Sequence, residues 1–249
     1  MLNTPIFDQK YAENQRDRVI ETFNQIKRLP VASAGRQIPS TDGISIHRGR
    51  HIDAAVMFID ICNFTSYPAW TPEEQSVLSE SLSLLFSEFV RVIEEHGGFI
   101  EKNTGDGLMA YFAPQVKERS NSVEQALSTA LAIFYVAKNV INQVLIVNGN
   151  PTFDFRITID EGPITIAKFG AARRFNGLVA VGTVANIASK LLALADPNSI
   201  LLGTRAVSLL PLEHQQQFVQ LKTLESGFIH LDTGYKYAVW EYIGRLGYR

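Results

Sequence analysis

The segment FIEKNTGDGLMAYF, Phe99 to Phe112, reads as a β-hairpin from which the rest of the chain can be laid out. Two short apolar runs flank Thr104-Gly105-Asp106-Gly107, the composition of a tight turn, and the turn carries one carboxylate at its tip. Upstream, Gly97-Gly98 stops a helix whose apolar residues Leu78, Leu82, Leu85, Phe86, Phe89 and Ile93 recur every three or four positions. That helix opens at Thr71-Pro72-Glu73-Glu74, which supplies an N-cap, a proline at the first helical position and a capping-box glutamate. Before it, His51 to Asp60 is apolar and β-compatible, a buried strand ending in an acid.

Downstream, Ser122-Val123-Glu124-Gln125 opens a second helix by the same capping logic, with Leu127, Leu131, Phe134 and Ile141 on its apolar face. Phe153, Phe155, Ile157 and Ile159 then alternate with Asp154, Arg156, Thr158 and Asp160, the pattern of a strand. Gly162-Pro163 predicts a turn into a second run, Ile164 to Phe169, paired antiparallel with the first. A third helix is expected over Thr183 to Ala195 and a last strand over Lys236 to Ile243. At the other end, Val19, Ile20, Phe23 and Ile26 form the apolar stripe of an amphipathic helix over residues 8 to 29. The stretch from Pro30 to Arg50 reads as a connecting arm. Residues 1–50 are thus expected to be a helix and arm, and 51–249 the main domain. Helices placed between hairpin-paired strands predict an α+β fold rather than a doubly wound parallel sheet.

Composition narrows the function. The chain has 249 residues, 46% of them hydrophobic and 19% charged, enough for a full core. A net charge of −2 lacks the basic excess of nucleic-acid binding, so no nucleic-acid partner is expected. One cysteine, Cys62, forms no intrachain disulfide, and the five histidines show no zinc-type spacing. No stretch approaches the roughly 18 uninterrupted apolar residues of a membrane span, and the start meets charge before any apolar run. A cytoplasmic setting without membrane contact is expected. The absence of a glycine-rich phosphate loop weighs against ATPase and dehydrogenase chemistry.

Two carboxylates remain for chemistry: Asp60, closing the first strand in FIDICNFT, and Asp106 at the hairpin tip. If those strands are sheet neighbours, the acids converge. With the Ile61 carbonyl they make a hard oxygen site suited to magnesium or manganese, ions that also hold substrate phosphates. Each aspartate alone would read as an ordinary turn residue, and it is the two together in these flanking sequences that point to metal.

Four segments in order resemble the class III nucleotidyl cyclases, the adenylate and guanylate cyclase catalytic domains. They are FIDICNFT (Phe58 to Thr65), HGGFIEKNTGDGLMAYF (His96 to Phe112), RITIDEGPITIAKFG (Arg156 to Gly170) and VAVGTVANIASKL (Val179 to Leu191). The resemblance implies a ferredoxin-like core and a head-to-tail homodimer with two shared active sites. It implies conversion of a nucleoside triphosphate into the 3′,5′-cyclic monophosphate and pyrophosphate. By the same resemblance Asp60, Ile61 and Asp106 bind two Mn²⁺ or Mg²⁺ ions, and the backbone from Cys62 through Phe64 to Thr65, with the Thr65 hydroxyl, faces the triphosphate. Asn186 orients the ribose from the partner subunit. Lys190 stands where the family usually has a transition-state arginine, and lysine keeps the charge but loses the planar fork. Arg173 and Arg174 are candidates to assist, and Lys236 lies near the position of a family phosphate-binding lysine.

The base-reading positions also depart from the family. Lys102 stands where adenylate cyclases have lysine and guanylate cyclases glutamate, and Val179 stands where they have aspartate or often cysteine. Lysine offers only donors and valine offers nothing, so the adenine amino group and the guanine edge lack acceptors. Uracil presents two carbonyl oxygens to a donor, which favours UTP over CTP. The lone cyclase domain, the N-terminal helix and this pair also look like the pyrimidine cyclases of bacterial Pycsar antiphage systems. That likeness implies that a separate effector protein reads cyclic UMP or cyclic CMP.

Overall fold

The computed structural model describes residues 8–28, 49–103, 105–113, 121–169, 177–222, 227–229 and 234–244. In chain order these form α1 (Gln9–Arg28), β1 (Gly49–Ile61), α2 (Pro72–Glu95), β2 (Phe99–Asn103), β3 (Gly107–Phe112) and α3 (Ser122–Val136). A π-helical turn, Ala137–Ile141, joins α3 to α4 (Asn142–Val147). Then come β4 (Phe155–Phe169), β5 (Gly177–Val181), α5 (Thr183–Leu191), β6 (Ile200–Gly203), α6 (Thr204–Ser208), α7 (Leu212–Phe218), β7 (Val219–Lys222) and β8 (Val239–Tyr242).

The first four strands and the helices between them run β-α-β-β-α-β. The sheet order is β2-β3-β1-β4-β6-β8-β7, with β5 added to the far end of β4. This is the expected α+β arrangement with a ferredoxin-like heart. Strand parity assigns the two faces. Odd-numbered Ala55, Met57, Ile59 and Ile61 of β1, with Phe155, Ile157 and Ile159 of β4, pack into the main core under α2 and α3. Even-numbered Ala54, Val56 and Phe58, with Met109 and Tyr111 of β3, face α5 through Val184, Ala185 and Ala188.

The cap of α2 is as expected: Thr71 and Glu74 form a reciprocal capping box ahead of Pro72. The cap of α3 sits one residue earlier than expected, because the Asn121 side chain accepts from the Glu124 N–H at 2.9 Å. The helical run Ser122–Val147 is long and apolar enough to cross a membrane, but 56% of its most apolar window is buried inside the protein. Here it is the core helix behind the sheet.

Gly162-Pro163 does not turn. Residues Phe155–Phe169 form one strand, antiparallel to β1 over 155–167, with Ala54 opposite Gly162 and Asp53 opposite Pro163. The second side of β4 is paired to β6 at 157–159 and to β5 at 165–169, so Pro163 falls in the gap between them. A residue without an N–H is tolerated where a strand has a neighbour on one side only. Gly162 has φ +153, and a Cβ there would lie 2.7 Å from Val184 Cγ2. The pair marks a close approach of β4 to α5 that the local turn grammar misreads. The expected third helix ends at Leu191 and continues only as a 3₁₀ turn, Leu192–Leu194. The last strand is shorter than expected, with Lys236 in an isolated bridge to Ile229.

α1 is held by apolar and ionic contacts together. Val19 and Phe23 are buried in the main core, whereas Ile20, expected on the same stripe, is 42% exposed. The Ile26 side chain lies outside the described residues. Across the helix pair, Arg18 Nη2 of α1 and Arg91 Nη1 of α2 each lie 2.9 Å from a carboxylate oxygen of Glu88, which is fully buried. The Arg18 contact lacks hydrogen-bond geometry and is Coulombic. Arg18 also pairs with Glu95, and Arg91 donates to Thr22.

Candidate active site

The β1–β3 register converts two distant aspartates into neighbours. Asp60 is the cross-strand partner of Gly107, and the Ile61 N–H donates to the Asp106 carbonyl at 2.9 Å. Even parity puts the Asp60 side chain on the α5 face of the sheet, beyond the buried Phe58. Gly105, beside Asp106 in the hairpin turn, has φ +101, a backbone conformation that favours glycine. The backbones of the two aspartates thus come together at one end of the sheet.

A cation already sits on one of them. Arg156 of β4 is the direct cross-strand partner of Asp60, and its Nε and Nη2 donate to Asp60 Oδ2 at 2.9 and 2.7 Å. The side chains are 27% and 18% exposed, respectively. Among the described residues no group of three or more His, Cys, Asp and Glu gathers as a metal site. The pair therefore fits an ion bound by one or two carboxylates, water and substrate phosphates, as Mg²⁺ is, better than a closed protein cage. The guanidinium on Asp60 shows that the position accepts positive charge.

After β1 the chain turns tightly through a 3₁₀ turn, Phe64–Ser66, entered by Asn63 in the left-handed region at φ 52. The Ser66 N–H and Oγ both donate to the Asn63 carbonyl. The Cys62 N–H donates to the Asp154 carbonyl at 2.8 Å, so it is engaged within the chain rather than turned to a phosphate. Thr65 is exposed and Phe64 half-buried against Tyr67. Burial pushes the Cys62 thiol above its usual range, so it is not an activated nucleophile.

Asn186 and Lys190 lie one turn apart on α5, both exposed, opposite the buried Val184, Ala185, Ile187, Ala188 and Leu191. Lys190 Nζ sits 4.8 Å over the Phe228 ring, a cation–π contact that steadies a long side chain. The Tyr237 N–H donates to the Phe228 carbonyl, and Lys236 bridges Ile229, so residues 227–229 join Lys190 to the segment around Lys236. Lys102 lies on β2 opposite Met109, just past a register shift, and Val179 on β5 opposite Ala167. Arg173 and Arg174 lie outside the described residues.

The segment around Lys236 is anchored by a buried acid. Asp160 of β4 is completely buried and accepts from the Tyr237 hydroxyl, 2.9 and 2.7 Å from its two oxygens. Burial raises its carboxyl pKa to about 6, against the opposing pull of Tyr237, the Glu161 and Ala206 backbone and Arg205. Burial, followed by the neighbouring Asp160, raises the Tyr237 hydroxyl strongly. The folded chain therefore holds a proton on Asp160 that the unfolded chain releases near pH 4. Its contribution to stability is full below pH 4 and is lost as pH rises to about 6, by roughly 2 to 3 kcal/mol for a two-unit shift. Asp160→Asn is expected to flatten that slope in denaturation curves taken between pH 4 and 7.

A cavity of about 840 Å³ lies elsewhere, between the π-helical turn and the ends of β4 and β8. Phe134, Asn142, Asp154 and Tyr242 are among its lining residues, and none of the candidate residues above reaches it. The residue that sequence reading missed is Arg156. Its signal was the polar alternation Asp154, Arg156, Thr158, Asp160 in a strand, but only the β1–β4 pairing gives Arg156 its partner.

With this geometry in place, the chain belongs to the nucleotidyl cyclases: residues 46–233 match the family described as the adenylate and guanylate cyclase catalytic domain. A Mycobacterium tuberculosis protein, Rv1319c, is 31% identical over 183 residues, which are 73% of this chain and 30% of that protein. The chain therefore spans under a third of that relative's length. A uridylate cyclase from Rhodovulum sp. (strain MB263) is 23% identical over 177 residues, 70% of this chain and 72% of that protein. The fold is shared with the guanylyl cyclase Cya2 at TM-score 0.65 and 18% identity, covering 79% of this chain and 94% of that one. It is shared also with the adenylyl cyclase CyaB from P. aeruginosa at TM-score 0.61 and 22% identity, covering 79% and 96%.

Proposed function

We propose that the chain is a divalent-metal-dependent pyrimidine nucleotide cyclase that converts UTP into cyclic UMP and pyrophosphate. The observation that carries this reading is the meeting of Asp60 and Asp106 through the β1–β3 register. Asp60, the Ile61 carbonyl and Asp106 would hold Mn²⁺ or Mg²⁺, which when bound supplies charge stabilisation at the triphosphate and lowers the pKa of the 3′-hydroxyl. The 3′-oxygen forms its bond to the α-phosphorus as its proton passes to water, and the bond from that phosphorus to the bridging oxygen of pyrophosphate breaks, releasing pyrophosphate.

The chain's own residues orient these groups. Backbone N–H groups from Asn63 to Thr65 contact the phosphates as uncharged donors, with Phe64 setting the turn. Asn186 and Lys190 act from the partner subunit, Asn186 on the ribose and Lys190 on developing phosphoryl charge, with Lys236, Arg173 and Arg174 adding positive charge. Their exposed face on α5, turned away from their own core, supports a role across a homodimer interface. Lys102 and Val179 would read the base, and their donor-only chemistry favours the carbonyls of uracil. The likeness to the Rhodovulum uridylate cyclase supports this choice. In an antiphage role, cyclic UMP would be read in the cytoplasm by a separate effector.

The test is a competition. Purified protein is incubated with equimolar ATP, GTP, CTP and UTP plus Mn²⁺, and products are resolved by chromatography and mass spectrometry beside Asp60→Ala. Cyclic UMP that vanishes in the variant is the expected result. Cyclic AMP as main product would overturn the base reading, and no product at high enzyme concentration would favour a fold that binds nucleotide without turnover.

A further inference from the structure

We infer that Arg156 is a resident counter-cation for Asp60 that weakens capture of free divalent metal and makes metal loading depend on the triphosphate. The inference rests on the proposed metal site at Asp60 and Asp106. Its geometry is specific: Nε and Nη2 converge on one oxygen, Asp60 Oδ2, rather than straddling the carboxylate. The remaining Nη1 has only a 3.5 Å contact, to the Ala195 carbonyl. Asp60 is thus the main partner of a guanidinium that is itself one quarter exposed.

Part-exposed ion pairs contribute little stability, so this one is displaceable. A dication approaching Asp60 meets a carboxylate whose charge is already balanced, and it meets the guanidinium as a like charge. The triphosphate changes both conditions. Its oxygens accompany the metal, and they offer the guanidinium bidentate acceptors to replace Oδ2. Arg156 is therefore a positioning residue that acts on the metal through Asp60, and it requires no proton transfer.

The experiment reads metal occupancy directly, from the free-Mn²⁺ electron paramagnetic resonance signal, on the full chain without nucleotide. Arg156→Gln and Arg156→Met are two neutral variants of similar length, each checked for folding by its thermal transition, and Arg156→Lys retains the charge. The neutral variants are expected to bind Mn²⁺ about 10-fold or more tightly than the wild type, the scale on which groups behind a ligand tune metal affinity. Arg156→Lys is expected to stay near the wild type. A non-reactive UTP analogue in saturating amount is expected to narrow the gap. Unchanged or weaker Mn²⁺ binding in the neutral variants, while Asp60→Asn abolishes it, would overturn the inference and leave the metal site standing. Mn²⁺ uptake that ignores Asp60→Asn would overturn the metal site and the inference together.

Discussion

Asp60→Asn and Asp106→Asn, each alone, are expected to lower cyclic nucleotide formation by about 1,000-fold or more, the effect of losing roughly 4 kcal/mol of transition-state stabilisation. Both substitutions preserve size and one acceptor oxygen and remove a negative charge. Their effects on the metal-free protein differ. Asp60→Asn releases Arg156, whose two short hydrogen bonds end on the Asp60 carboxylate, whereas Asp106 sits in the hairpin turn and its substitution leaves that pair intact. Turnover is measured by product chromatography across a Mn²⁺ titration, and raising the metal is not expected to rescue either variant. Activity within 10-fold of wild type in both would show that the paired carboxylates do not carry the chemistry.

The same variants test the shared site. An Asp106→Asn chain and a Lys190→Ala chain should each be inactive, because each homodimer carries two identical defects. Mixed by unfolding and refolding together, they should regain roughly a quarter of wild-type activity, since half the dimers then hold one intact composite site of two. No recovery would place Lys190 and Asp106 in the same chain's site.

What the sequence made legible was local. The capping box at Thr71, the Gly97-Gly98 stop and the hairpin around Asp106 follow from short-range backbone preferences, and all three are present. The meeting of Asp60 with Asp106 needed only one conditional step, that β1 and β3 are neighbours. The Asp60–Arg156 pair joins residues 96 apart through a pairing that no local rule announces. Gly162-Pro163 failed for the opposite reason: its turn chemistry is real, but tertiary context placed it in a one-sided stretch of β4 beneath α5. Glu88 announces no burial by its type, since a charge inside an apolar stripe is usually solvated. Its position between Leu85, Phe89 and Val92 on the buried face of α2 was the available clue.

That burial leads to the largest expected loss of stability. Removing both cations, Arg18→Met with Arg91→Met, leaves the Glu88 carboxylate uncompensated and is expected to cost about 3 to 5 kcal/mol. For a chain of this size that lowers the melting temperature by roughly 6 to 20 °C. Either single substitution should cost much less, because the other arginine keeps its 2.9 Å contact with Glu88. The coupling can be isolated by adding Glu88→Leu to the double variant. With no charge left to solvate and an apolar side chain facing the core, the triple variant should return to near wild-type stability in urea denaturation. α1 retains its other attachments in every variant: Val19 and Phe23 in the core, the Tyr11–Tyr135 edge contact and Arg16 on Gln143. A loss that persists in the triple variant would therefore trace to the packing of the arginine stems across α2, and a double variant costing under about 1 kcal/mol would show that water reaches Glu88 in place of the arginines.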